Sequence, residues 1–280
     1  LFPFFVLSEL FIQYGFVEFL SELLKPVMNR VFKISSNTAF IFVMSIISGF
    51  PSNAKYTKAL LEEGKITEHE ATKILTFTHF SNPLFILGTI SLGFLNNKEV
   101  GLLILICHYF TNIIIGLLFR NYHASPKENS NVSLRKAIHS MTESRLKRKK
   151  PFGKILTDAL NHTVQTLLFI LGVTTTFLII TTLIDKHIQL NNFNQSILNG
   201  FFEMTQGLKY ISLLRIPLKV KSILTVIILS FGGFSVHMQL MGILSGSKIN
   251  YFPYLTARLL HAFLASMLMF FTFDIWMQFI

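Results

Sequence analysis

The chain is poor in charge: 14% of its 280 residues are Asp, Glu, Lys or Arg, against roughly a quarter in a soluble domain. It has one cysteine, Cys107, inside an apolar run, so no disulfide framework exists and the redox compartment is unreadable. No paired His or Cys spacing suggests a metal, and no Gly-x-Ser-x-Gly turn occurs. The stretch Gly49-Phe50-Pro51-Ser52-Asn53-Ala54-Lys55 evokes a phosphate loop, yet it lacks the Gly before Lys and the Ser or Thr after it. We therefore expect no enzyme, no cofactor and no nucleotide-hydrolysis module. No signal peptide with a small-residue cleavage site is expected, as a multi-pass protein needs none. The chain opens on Leu1 with apolar residues already in place, so further sequence is expected before it.

What is present is apolar. Half of the residues are hydrophobic, 30 are Phe, and the mean hydropathy is +0.54. An integral membrane protein follows. The net charge of +11 gathers between Arg120 and Lys154, where Lys127, Arg135, Lys136, Arg145, Lys147, Arg148, Lys149 and Lys150 face only Glu128 and Glu143. Short Lys/Arg-rich loops stay cytoplasmic, so residues 121–153 are expected as a basic cytoplasmic loop. The favoured reading of Arg145-Leu146-Lys147-Arg148-Lys149-Lys150 is a topology determinant near the membrane surface, with a nucleic-acid or anionic-lipid role as the alternative. For the chain as a whole, membrane lipids and no nucleic acid are the expected partners.

Long apolar runs cover about 1–24, 100–119, 164–184 and 252–280, each near the roughly 20 residues a crossing needs. Glu9, Glu18 and Glu22 interrupt the first and should face protein or the interface. Shorter runs, Thr38–Ile47, Pro83–Leu95 and Ile223–Phe231, have 10, 13 and 9 residues. They are expected as re-entrant arms or halves of broken helices. Ser48–Lys55 then reads as the tip of a hairpin over 35–63. Irregular polar backbone inside a membrane is tolerated only where protein covers it or a water-filled cavity receives it. Thr67 and Glu70 should form a capping box, and Pro83 should break the helix that follows.

The second half matches this plan. Ser230-Phe231-Gly232-Gly233-Phe234-Ser235-Val236 aligns with residues 46–52, which predicts a second hairpin over 219–246. The expected fold is an all-α polytopic membrane protein: an inverted repeat with two re-entrant helical hairpins and broken transmembrane helices. Residues 1–120 form the first repeat with one extra crossing, and 154–280 the second.

Helix N-termini at such tips carry free N–H groups and partial positive charge, which suit an anionic or carbonyl-rich ligand. The candidate substrate-binding residues are Gly49, Pro51, Ser52, Asn53 and Lys55 at the first tip, and Ser81 and Asn82 at the break. Gly233, Ser235, His237 and Gln239 belong to the second tip; Thr205 and Gln206 precede it. Glu203 is the candidate for ion coupling, and His237 an alternative proton carrier. Each has a bland reading beside it. Lys55 can snorkel as a helix anchor, Asn82-Pro83 can be a plain kink, Glu203 can sit at the outer interface, and His79, His237 and His261 can be packing residues.

Leu1-Phe2-Pro3-Phe4-Phe5-Val6-Leu7-Ser8-Glu9-Leu10, Ser48–Lys55, Ser81-Asn82-Pro83-Leu84-Phe85, residues 202–208 and residues 230–237 together resemble the YlbJ-type sporulation integral membrane proteins of the nucleoside-recognition (Gate) group. The resemblance spans nearly the whole chain. It implies a plan like that of concentrative nucleoside transporters, with hairpins and broken helices around a midplane site. It also implies a small-molecule substrate, nucleoside-like or a dicarboxylate such as dipicolinate, moved across the cytoplasmic or forespore membrane. At the first tip Phe50 stands where the family has Tyr, and Asn53 where it has Gly. The expected function is a permease for a small polar, anionic metabolite, possible as a homo-oligomer; the alternative is a non-transporting membrane scaffold or assembly factor of the same fold.

Overall fold

A computed structural model describes residues 2–128 and 132–279; Leu1, residues 129–131 of the basic loop and Ile280 lie outside the described residues. Within them all regular structure is helical. The first apolar run is two helices, α1 (Phe2–Gln13) and α2 (Phe16–Pro26), bent by 86°: a broken span or a re-entrant loop. The bend falls at Gly15, whose φ of +81° favours glycine, and where a Cβ would lie 2.4 Å from the Met141 carbonyl oxygen.

Helices α3 (Ala39–Ser48) and α4 (Ser52–Glu62) pack side by side. The Phe40 and Tyr56 rings lie 5.5 Å apart, and the Ser48 and Tyr56 hydroxyls are 2.8 Å apart. The chain turns between them at Gly49, with φ +76°. Helix α5 (Glu68–Phe77) starts on the expected capping box, Thr67 with Glu70. It unwinds over 78–82 and resumes at Pro83, where a missing N–H costs nothing in a first turn. The continuation, Phe85–Leu95, is a wider π-type helix.

Next come α6 (Lys98–Leu118) and α7 (Leu134–Arg148). The latter is a helix inside the basic loop, N-capped by Ser133. The remainder is α8 (Phe152–His187), α9 (Asn192–Phe202), α10 (Met204–Leu213), α11 (Leu218–Phe231), α12 (Gly233–Ile243) and α13 (Tyr251–Gln278). Among the described residues four stretches are long and apolar enough to cross a membrane: 98–121, 152–187, 218–243 and 251–278; the bent pair α1–α2 makes a fifth if counted as one. Apolar side chains such as Leu168, Leu171 and Ile179 on α8 are exposed, as a lipid-facing helix requires.

The hairpin expected over 219–246 needs correction. Helices α11 and α12 form one apolar stretch of 26 residues, interrupted at Gly232. The folded-back pair is α9 with α10, one step earlier in the chain. Only Glu203 separates these two helices. Gly207 lies so close to Gly200 that a Cβ on it would meet the Gly200 Cα at 2.1 Å. Two glycines flanking a one-residue break let the backbones touch. Gly232, with φ +92°, only ends one helix where Gly233 starts the next.

Candidate functional site

A cavity of about 440 Å³ opens where the α3–α4 turn, the 78–82 break, the α9–α10 turn and α12 meet. Phe50 and Pro51 line it from the first turn, Ser81 and Asn82 from the break, Glu203, Met204 and Thr205 from the second turn, and Val236 and Gln239 from α12. Phe4, Phe85, Thr89 and Thr174 complete much of the wall. No Lys or Arg is among the lining residues.

One backbone and one side-chain hydrogen bond knit the first turn to the break. Phe50 N–H donates to Phe80 O at 2.7 Å, and Asn82 Nδ2 donates to Ile47 O at 3.0 Å. The other amide atom of Asn82, Oδ1, accepts from Leu84 N–H at 2.8 Å and caps the resumed helix. Gly49 is required at this contact, since a Cβ there would lie 2.4 Å from the Asn82 nitrogen. On the other side, Glu203 Oε2 accepts from Gln206 N–H at 2.7 Å and caps α10. Gln239 Nε2 donates to Thr174 Oγ1 at 3.0 Å, tying α12 to α8.

Six of the sequence-derived candidates therefore share one cavity: Pro51, Ser81, Asn82, Glu203, Thr205 and Gln239. Others lie outside its wall. Ser52 is buried and donates to Gly49 O within its own turn. Asn53 is buried with no partner for its amide among the described residues, as is Ser235 for its hydroxyl. Gln206 Oε1 accepts from Thr181 Oγ1 at 2.7 Å. Gly233 packs on Gly200 O and Met204 N, each 3.1 Å from where its Cβ would be. His237 is satisfied within the protein: Nε2 donates to Phe231 O at 2.9 Å, and Nδ1 accepts from the Tyr251 hydroxyl at 2.6 Å. Lys55 pairs with Glu9 at 3.1 Å and opens on a different cavity.

Sequence reasoning missed the polar layer beneath the break. Arg258 on α13 is wholly buried. It donates to Thr76 O and, at 2.9 Å, to His261 Nδ1, and its guanidinium lies 5.4 Å from the Tyr254 ring centre. The Tyr254 hydroxyl is 3.0 Å from His79 Nδ1, and His79 stacks on Phe50 at 4.3 Å. One signal was available: Arg258 is a charge inside an apolar run long enough to cross, and such charges face the protein interior.

These apolar helices and their buried polar breaks define a multi-pass membrane protein. The family model for nucleoside recognition (Gate) matches residues 1–98. The chain is 36% identical over 291 residues to the sporulation integral membrane protein YlbJ of Bacillus subtilis (strain 168), covering 95% of this chain and 71% of that relative. It belongs to the YlbJ family. No solved structure matches.

Proposed function

We propose that the protein is a permease whose cavity between the two turns, the 78–82 break and α12 binds a small polar ring compound for passage across the cell membrane. One observation carries this reading: two turns, the 78–82 break and α12, far apart in sequence, converge on a single cavity. Phe4, Phe50 and Phe85 offer faces for a ring, while Ser81, Asn82, Thr205 and Gln239 offer neutral hydrogen-bonding groups. Glu203 is the lining carboxylate and our candidate for ion coupling. With no cation in the wall, a neutral nucleoside-like ligand fits better than a dicarboxylate such as dipicolinate, and better than the anionic metabolite the sequence suggested.

The element order supports an inverted repeat. The pair α3–α4 is followed by the helix broken at 78–82, and the pair α9–α10 by the helix broken at Gly232. We read both pairs as re-entrant hairpins and place the basic loop in the cytoplasm. The relative's name carries sporulation to this chain as part of the same proposal.

Proteoliposome flux tests the reading. Uridine should enter vesicles faster with the wild-type protein than with Asn82→Ala, while dipicolinate should not compete. Folded protein that moves no nucleoside and no carboxylate would favour the scaffold alternative.

A further inference from the structure

His108, on α6, is wholly buried and touches both helix breaks. Its Nε2 accepts from the Ser81 N–H at 3.0 Å. Its Nδ1 lies 3.1 Å from the hydroxyl of Ser230, on the last turn of α11 before Gly232. A backbone N–H can only donate, so Nε2 carries no hydrogen. The neutral ring then holds its hydrogen on Nδ1 and donates it to Ser230. The His108 carbonyl accepts from His261 Nε2 at 2.9 Å, which leaves His261 Nδ1 free to accept from Arg258. The direction of every bond is thereby set. The hydroxyl of the neighbour Tyr109 lies 2.8 Å from the Ser81 carbonyl and 2.9 Å from the Ile46 carbonyl, sharing its one hydrogen between them. Consecutive residues of α6 thus hold both backbone polar groups of Ser81, which lines the cavity.

We propose that His108 is a positioning residue. It joins the two breaks through one neutral imidazole and fixes the Ser81–Asn82 segment in the conformation presented to ligand. It touches no ligand itself, and the inference rests on the ring-compound reading of the cavity. Any buried imidazole pairs both nitrogens; what sets His108 apart is that its two partners, Ser81 and Ser230, belong to the two different breaks.

Two substitutions separate the ring nitrogens. His108→Gln reaches the Nε2 position and keeps an acceptor for Ser81. His108→Asn reaches only the Nδ1 position, so it keeps the Ser230 contact and loses Ser81. In nanodiscs, hydrogen exchange of the amides over 78–86 reads the segment without any ligand, and uridine binding reads the site. His108→Asn should speed Ser81 exchange and weaken uridine, each by about 10-fold. His108→Gln should stay within about 3-fold of wild type on both, at a similar melting temperature. Equal effects of the two variants, or none, overturn the proposal. Ser230→Ala leaves the ring in place and serves if the histidine variants do not fold; unchanged exchange over 78–86 overturns the link between the breaks. If wild type binds no nucleoside while the exchange pattern holds, the ring-compound reading fails and the positioning stands.

Discussion

Lys55 Nζ lies 3.1 Å from Glu9 Oε1 and 4.8 Å from the centre of the Phe5 ring. An ammonium matched by a carboxylate of its own chain has little charge left for an anionic ligand. The pair opens on a cavity of about 540 Å³ shared with Gln13, Glu62 and His162, not on the one lined by Ser81 and Asn82. This relationship turns the substrate expectation from anionic toward neutral.

Removing either partner strands the other in a nearly buried place. Lys55→Met and Glu9→Gln should each cost about 2 kcal/mol of stability, and the double variant less than their sum. Thermal unfolding in nanodiscs measures this. Strict additivity contradicts the pairing.

The contact between α9 and α10 is equally specific. Gly207→Ala forces a Cβ to 2.1 Å from the Gly200 Cα, and overpacking of this kind costs about 1–3 kcal/mol. Gly153→Ala, in α8 where a Cβ meets nothing within 4 Å, should not lower the melting temperature. Equal melting of both variants would show that the helices do not meet there.

At the hairpin's far end Arg148 of α7 grips Glu63 through Nη1 at 3.0 Å and Nη2 at 2.8 Å, with Lys65 at 2.9 Å. Burial alone pushes the Glu63 carboxyl up, but the hydrogen bonds and charges of Arg148 and Lys65 outweigh it and hold the group below its ordinary value. A carboxyl depressed in the folded state stabilises above its unfolded value, and that contribution is lost as pH falls through the folded one. Thermal melts from neutral pH to below the ordinary carboxylate range should therefore decline, and Glu63→Gln should flatten part of the decline. An identical profile for the variant removes this clasp from the account.

Local chemistry was legible in the sequence where one segment carries its own signal. Gly49-Phe50-Pro51 marks a turn, Thr67 with Glu70 marks a helix start, and Pro83 marks a break; the structure has all three. The second turn was misplaced because Gly232-Gly233 looks more like Gly49 than a lone Glu203 does. What distinguishes Glu203 is the pairing of Gly200 with Gly207, which depends on how two helices cross. Lys55 with Glu9, and His108 with Ser81, join residues 46 and 27 positions apart. Composition and periodicity contain no record of such meetings. Six candidates reached one cavity because polar residues at helix breaks in an apolar chain have few other places to go.

The central claim is that the cavity of Asn82, Thr205 and Gln239 binds a neutral ring compound. Equilibrium binding of radiolabelled uridine to purified protein tests it most directly. We predict saturable binding that Gln239→Leu and Thr205→Val each weaken by about 10-fold, the worth of one neutral hydrogen bond, and that Lys55→Met leaves within about 3-fold of wild type. Binding that survives both cavity substitutions, or that Lys55→Met abolishes in a folded protein, would contradict the account.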